Sequence, residues 1–340
     1  MRTTANKPII AITVGDFNGI GPEVALKALT SSRVRRGCLP VLVGPADVFA
    51  FYAKRLNIPV RLDGPEDATL TQRHSGRIPV VECAEVKGKI SPGRISAAAG
   101  KVAAAAIAHA VNMITSGDAH AMVTAPVSKK SMHLAGADFP GQTEMVQHLS
   151  GSPRVAMMLA SKTMRVGLAT IHIPVKEVAA QITPKRIRET IEIVHQALKT
   201  DWRIRSPRIA VLALNPHASE GGDIGREDID IVEPVIAEYR RKRFKIDGPF
   251  PADAFFGKYK AGMYDAVIAM YHDQGLIPLK MTSFGEGVNI SVGLNIVRTS
   301  PDHGTAFDIA GKGIASPGSM IEAILLAAQV AVNRTGDRQK

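Results

Sequence analysis

Short runs of consecutive apolar residues alternate along this chain with longer stretches whose apolar positions recur every three or four residues. That alternation predicts strands interleaved with helices and a largely parallel α/β architecture. Residues 9–14 read as a buried strand, broken at Gly15-Asp16-Phe17-Asn18-Gly19-Ile20-Gly21, after which Pro22 is placed to open a helix over 22–29. Further strands are predicted at 39–44, 78–81, 120–124, 165–171, 208–214 and 266–271. Helices are predicted from the end of the second strand to 55 and over 96–113, 183–198, 227–240 and 319–332. The helix at 96–113 is mostly alanine, which lets it pack closely on a neighbour. The segment 285–313 is rich in Gly, Asn, Thr and Asp and reads as loops.

At 340 residues the chain is long enough for two domains. Forty-five per cent hydrophobic and 21% charged residues are those of an ordinary globular protein, which excludes a disordered chain or a fibre. Two cysteines, Cys38 and Cys83, form no metal-binding spacing and suit a reducing compartment. Lys and Arg exceed Asp and Glu by 42 − 31 = 11, which suggests anionic partners. The basic runs at 33–36 and 240–243 carry no interleaved aromatics, and aromatics are only 5% of the chain. A solvated basic face fits this better than a nucleic-acid surface. No apolar run approaches the ~20 residues of a spanning helix. The expectation is a soluble, cytoplasmic protein without nucleic-acid or membrane partners.

Three predicted strands run into histidine: 165–171 into His172, 208–214 into Asn215-Pro216-His217, and 266–271 into His272. Ligands of open α/β sheets bind beyond the carboxyl ends of the strands. Three imidazoles delivered there could converge on one divalent metal, and each alone could be a hydrogen-bonded structural residue. Near the third histidine stand Lys280, Asn289 and Arg298. A lysine point charge and an arginine fork suit a phosphate or carboxylate. Asp253 is either a charged cleft residue or a helix cap. The turn at 15–21 has the strand-to-helix context of a phosphate cradle, but its G-x-x-x-G-x-G spacing is not a dinucleotide fingerprint. A purely structural turn is equally compatible.

The stretch Asp302-His303-Gly304-Thr305-Ala306-Phe307-Asp308-Ile309-Ala310-Gly311-Lys312-Gly313 resembles the cofactor loop of isopropylmalate and isocitrate dehydrogenases. Thr305 and Phe307 stand where that superfamily has Ser and Pro. With it go Thr13-Val14-Gly15-Asp16, Gly19-Ile20-Gly21-Pro22-Glu23, Thr124-Ala125-Pro126 and Phe139-Pro140-Gly141. Asn215-Pro216-His217-Ala218, Tyr271-His272-Asp273-Gln274-Gly275, Gly287-Val288-Asn289-Ile290 and Arg298-Thr299-Ser300 complete the set. Nearly the whole chain resembles the 4-hydroxythreonine-4-phosphate dehydrogenase (PdxA) family.

The resemblance implies two α/β/α domains with an active-site cleft between them, one formed by 1–130 and 300–340 and the other by 131–299. The second would carry the dimer interface and the metal ligands His172, His217 and His272. Those ligands would be shared across a homodimer and hold zinc, magnesium or cobalt. Gln142, Thr143, Lys280, Asn289 and Arg298 fall on substrate-binding positions, with Lys280 and Asp253 as candidates for the general base. His303, Gly304, Thr305 and Asp308 would bind NAD or NADP. The implied reaction is oxidation and decarboxylation of 4-phosphohydroxythreonine to 3-amino-2-oxopropyl phosphate, on the route to pyridoxal phosphate. Gln142 replaces the family's usual His, and Phe17-Asn18 its common Pro-Ala. A carboxamide cannot ionise as an imidazole does. A paralogue acting on 4-phosphothreonate or 4-phosphoerythronate is therefore the alternative. A metal-dependent hydrolase is the reading from another class, and it would have no use for the 303–313 loop.

Overall fold

A computed structural model of the chain describes residues 7–63, 76–283 and 285–336. In chain order the first stretch carries β1 (Ile9–Thr13), α1 (Gly21–Thr30), α2 (Ser32–Gly37), β2 (Leu39–Val43), α3 (Ala46–Arg55), β3 (Val80–Val81), α4 (Ala97–Thr115), β4 (Ala121–Val123), α5 (Lys129–Leu134) and α6 (Gln142–Leu149). The middle carries β5 (Ala156–Ala160), β6 (Arg165–Leu168), α7 (Val175–Gln181), α8 (Pro184–Thr200), β7 (Arg208–Leu212), α9 (Glu233–Arg241), β8 (Lys245–Phe250), α10 (Ala252–Lys258), β9 (Ala266–Ala269), α11 (His272–Ser283) and β10 (Val288–Val292). The return is β11 (Arg298–Pro301) and α12 (Gly318–Thr335). The α/β class expected from the alternation is the class observed.

The chain divides into two compact units, Met1–Pro153 with Leu294–Thr335, and Arg154–Gly293. The first unit orders its strands β3-β2-β1-β4-β11, every pair parallel. Strands β1, β2 and β4 are almost wholly buried, which is why they read as unbroken apolar runs. Helix α4 begins at Ser96, whose hydroxyl accepts from the Ala99 amide. It presses on α5 at Gly100, where a Cβ would run into the Ser131 carbonyl. This packing keeps Gln142 and Thr143 in the first unit, although division at 130 would place them in the second. The pairing of β11 with β4 does the same for Arg298.

The second unit orders its strands β10-β5-β6-β9-β7-β8, antiparallel across β10-β5-β6 and parallel from β6 to β8. Its core joins Leu159, Val166, Leu168, Leu212, Phe255 and Val267 to Leu276 and Leu279 on the inner face of α11. Thr183 caps α8 through the Arg186 amide, with Pro184 in its first turn.

Three expectations need correction. Residues 285–313 are not all loop. Val288-Asn289-Ile290-Ser291-Val292 pairs with β5, and Arg298–Pro301 is buried beside β4. Their polar residues hid strand periodicity. The helix expected over 227–240 opens instead with a single π-turn at Asp228–Val232. Finally, α4 is long and apolar enough to cross a membrane by composition, contrary to the sequence count; 50% of it is buried against its own unit, the setting of a core helix.

Candidate active site

The second unit gathers the histidines. Strands β6, β9 and β7 are neighbours in that order and run parallel, so their carboxyl ends share one edge. His172, His272 and His217 follow those three strands directly. The ends are stitched together by polar side chains that pattern reading missed. Thr170 Oγ1 donates to the Met270 carbonyl at 2.7 Å. Gln274 accepts from the Met270 amide and donates to the Ala213 carbonyl, both at 2.7 Å, tying β9 to β7. The His172 and His272 rings stand 5.7 Å apart, centroid to centroid.

His217 sits on an unusual backbone. Residues His217, Ala218, Ser219, Glu220 and Gly221 all have φ between 42° and 71°, a turn of left-handed helix. For non-glycine residues this conformation costs about 1–2 kcal/mol each, so something must hold it. The buried Asp228 carboxylate accepts from the Leu214 amide at 2.7 Å, the Asn215 amide at 3.0 Å and the Ser219 hydroxyl at 2.9 Å. Asn215 Nδ2 also donates to Ser219 and Glu227. Strain of this kind concentrates at functional positions.

Nδ1 of His217 is hydrogen-bonded to Glu220, and Nδ1 of His272 to Asp273 at 2.7 Å. A carboxylate behind Nδ1 leaves Nε2 for a metal, and metal-ligating histidines are commonly backed this way. The donor chemistry therefore suits a divalent cation. Among the described residues, no group of three or more His, Cys, Asp or Glu side chains stands close enough within one chain to hold one. The chain brings His172 and His272 together without closing the triad.

Lys280 is exposed in the last turn of α11. Asn289 lies on β10 with its Oδ1 buried and without a hydrogen-bond partner. Asp253 is exposed in the first turn of α10, where a negative charge complements the helix dipole.

The first unit holds a buried cation. Arg298 on β11 is 2% exposed. Its Nε and Nη2 donate to Thr124 Oγ1 at 3.0 and 2.7 Å, and its Nη1 to Thr143 Oγ1 at 3.2 Å. Burial pushes the guanidinium down to about 10, against the opposing pull of Glu144. Thr143 opens α6 just after Gln142, whose Oε1 is buried without a hydrogen-bond partner. A desolvated guanidinium beside a helix N-terminus is an arrangement for an anion. Thr124 and Glu144 escaped sequence reasoning, although Thr124 falls within a quoted motif.

Also in the first unit, residues 303–313 form an irregular loop with exposed Gly304 and Asp308. His303 Nδ1 faces the Gly304 carbonyl at 3.2 Å. A Cβ built on Gly304 would meet nothing within 4 Å, so the backbone there borders open space. The loop hangs on the first turn of the chain. The Ile20 amide donates to the Thr305 carbonyl at 2.9 Å, and Arg55 Nε to the Gly311 carbonyl at 3.1 Å.

The chain matches the family model described as "Pyridoxal phosphate biosynthetic protein PdxA" over residues 36–327. It is 42% identical over 326 residues to the 4-hydroxythreonine-4-phosphate dehydrogenase of Geobacter metallireducens, covering 96% of each chain. It is 40% identical over 331 residues to the D-threonate 4-phosphate dehydrogenase of Cupriavidus necator, covering 96% of this chain and 98% of that one. Among solved structures it superposes on a 4-hydroxythreonine-4-phosphate dehydrogenase from Klebsiella pneumoniae with a TM-score of 0.85 and 38% identity, covering 96% of this chain and 98% of that one. With a family model spanning most of its length and relatives aligned nearly end to end, the chain belongs to the PdxA family of pyridoxal phosphate biosynthetic proteins and is an oxidoreductase.

Proposed function

We propose that this protein oxidises 4-phosphohydroxythreonine with NAD or NADP and decarboxylates the product to 3-amino-2-oxopropyl phosphate. The observation that carries the reading is the buried Arg298 guanidinium, held by Thr124 and Thr143; by resemblance, Arg298 and Thr143 fall on the family's substrate-binding positions. A buried guanidinium at a helix N-terminus suits an anion, and the substrate offers a phosphate and a carboxylate. Lys280 and Asn289 are further proposed substrate contacts.

The C3 hydroxyl loses its proton and the C3 hydrogen leaves as hydride, so the alcohol becomes a ketone. The nicotinamide cofactor, when bound by His303, Gly304, Thr305 and Asp308, supplies the hydride acceptor. A divalent cation held by His172, His217 and His272 would supply Lewis acidity to the substrate oxygens. Lys280 or Asp253 takes the hydroxyl proton. The ketone lies β to the carboxylate, so carbon dioxide departs with its bonding electrons delocalised onto the carbonyl. Protonation at C2 then gives the product. Arg298 holds its anion throughout, which fixes the reacting carbon and raises the effective concentration of the aligned geometry.

A homodimer in the cytoplasm is the proposed state. Val175 is 78% exposed, Met281 72% and Ile277 57%. Ile277 and Met281 share one face of α11, the helix that opens with His272. Apolar side chains exposed this near the histidines support an interface there. Light scattering on the purified protein tests it, and a monomer at micromolar concentration would remove the proposal.

The second reading is oxidation of 4-phosphothreonate or 4-phosphoerythronate. Gln142 favours it, since a neutral carboxamide stands where the family usually has an imidazole. The two kinds of relative are nearly equidistant, at 42% and 40% identity, so overall similarity does not separate them. The test is NADH formation by metal-loaded protein with each substrate, compared as kcat/KM. Preference for the amino acid supports pyridoxal phosphate synthesis; preference for the sugar acid replaces it with the second reading.

A further inference from the structure

The glycine turn at residues 15–21 has the context of a phosphate cradle, but four of its amides are already spent. Asp16 N donates to the Pro126 carbonyl, Gly19 N to the Asp16 carbonyl and Ile20 N to the Thr305 carbonyl, each at 2.9 Å. Asn18 N donates to the Asp16 carboxylate at 3.0 Å. A cradle needs free N–H groups facing the anion. This turn uses them to hold itself and the 303–313 loop. Gly19 is there for close approach, since a Cβ would stand 2.9 Å from the Thr305 carbonyl oxygen and 3.0 Å from the Thr305 Cβ.

The helix that follows completes the grip. Lys27 on α1 donates to the Gly313 carbonyl at 2.8 Å, the Ala315 carbonyl at 2.9 Å and Glu23 Oε1 at 2.8 Å. Those three bonds use every donor of the ammonium. Glu23 is fully buried, and its Oε1 also accepts from the Ala315 amide at 2.9 Å. Its Oε2 is buried with no hydrogen-bond partner, so the carboxylate's charge is balanced chiefly by Lys27. Together with Ile20 and Arg55, the pair tethers the loop at residues 305, 311, 313 and 315.

We infer that Glu23 and Lys27 are positioning residues for the nicotinamide cofactor: an ion-pair latch that presets the 303–313 loop and thereby sets cofactor affinity. The inference rests on the reading of that loop as the cofactor site. Neither side chain need touch the ligand. A loop already ordered loses less freedom on binding, so its ligand binds more tightly.

The test is NADH affinity by fluorescence titration. Lys27→Met alone would strand a buried carboxylate, so the informative variant is the double Lys27→Met with Glu23→Gln, which leaves no unpaired charge. It is expected to weaken NADH binding about tenfold and to raise KM for the oxidised cofactor. Its kcat at saturating cofactor should stay within about twofold, because the reacting groups are untouched. Lys27→Arg, which keeps the charge, should recover most of the affinity. His303→Ala separates the two layers of the argument. If it weakens NADH binding and the double variant does not, the latch is wrong and the loop reading stands. If His303→Ala has no effect on NADH binding, the loop reading fails and takes the latch with it. A measurement on unaltered protein covers a double variant that does not fold. On NADH saturation, hydrogen exchange should slow together in peptides spanning 19–27 and 303–315, and slowing in the second alone would overturn the latch.

Discussion

Arg298 and His217 are both candidate binding residues, and the structure treats them in opposite ways. Arg298 is sealed in the first unit, with its geometry imposed by Thr124 and Thr143 before any ligand arrives. His217 is exposed in the second unit, on a strained left-handed turn that a single buried carboxylate secures. In the first case burial makes the charge costly and therefore demanding of an anion. In the second the imidazole is accessible, and the expenditure lies in the backbone that aims it. Substitution at Arg298 should therefore act on the anion, and substitution around His217 on aim.

The largest effect is expected at Arg298. Arg298→Met removes the proposed anion fork, so kcat/KM should fall on the order of 10³-fold. Stability should suffer little, because losing a desolvated cation offsets the threonine hydroxyls left without their donor. A Tm within about 4 °C of the parent is expected. A variant that unfolds while its residual active fraction turns over normally would make Arg298 structural. His217→Ala should match it in activity by another route. Metal content by elemental analysis should fall while the Tm holds, since an exposed side chain carries little stability. An active, metal-free His217→Ala protein would end the three-histidine proposal.

Asp228 tests the aim itself. Asp228→Asn turns one acceptor into a donor facing the Asn215 amide, which loosens the left-handed turn. Metal affinity should weaken about 10- to 100-fold, the usual range for partners behind a ligand. NADH affinity, which the proposal assigns to the 303–313 loop, should not change. Gln142→His should be milder and selective, shifting the kcat/KM ratio between 4-phosphohydroxythreonine and 4-phosphoerythronate with metal content constant. An unchanged ratio would leave position 142 without a part in specificity.

The same contrast explains what could be read from the sequence. Buried parallel strands such as β1, β2 and β9 announce themselves as unbroken apolar runs, and each predicted helix has its cap or its period. The family motifs named the histidines, Arg298 and the 303–313 loop. The groups that hold those residues in place were invisible. Asp228 and Gln274 act on residues that neighbour them in space through the meeting of strand ends, and Lys27 reaches across 286 positions to Gly313. Such pairings depend on tertiary structure, and no local pattern records them. Strands β10 and β11 were missed for a related reason. Asn289 and Arg298 sit in them, and polar or charged residues break the apolar alternation by which strands are recognised.

The smallest expected effect concerns Asp16, another buried charge of the first unit. Burial raises its carboxyl above the ordinary value of 3.8, although the Ser131 hydroxyl at 2.6 Å and the amides of Asn18 and Gly19 pull the other way. A carboxyl raised on folding binds its proton more tightly in the native state than in the unfolded one. Its contribution to stability is therefore full below 3.8 and is lost as pH rises through the native value. Asp16→Asn keeps an oxygen for the Asn18 amide and can donate to Ser131, but it carries no charge to desolvate. The Tm of the variant relative to the parent should therefore climb as pH rises from 3.8 toward neutrality, by a few degrees at most. A difference that stays constant over that range would mean that the three hydrogen bonds outweigh burial and that Asp16 remains charged in the native protein. The first unit would then hold its anion at Asp16 as firmly as its cation at Arg298.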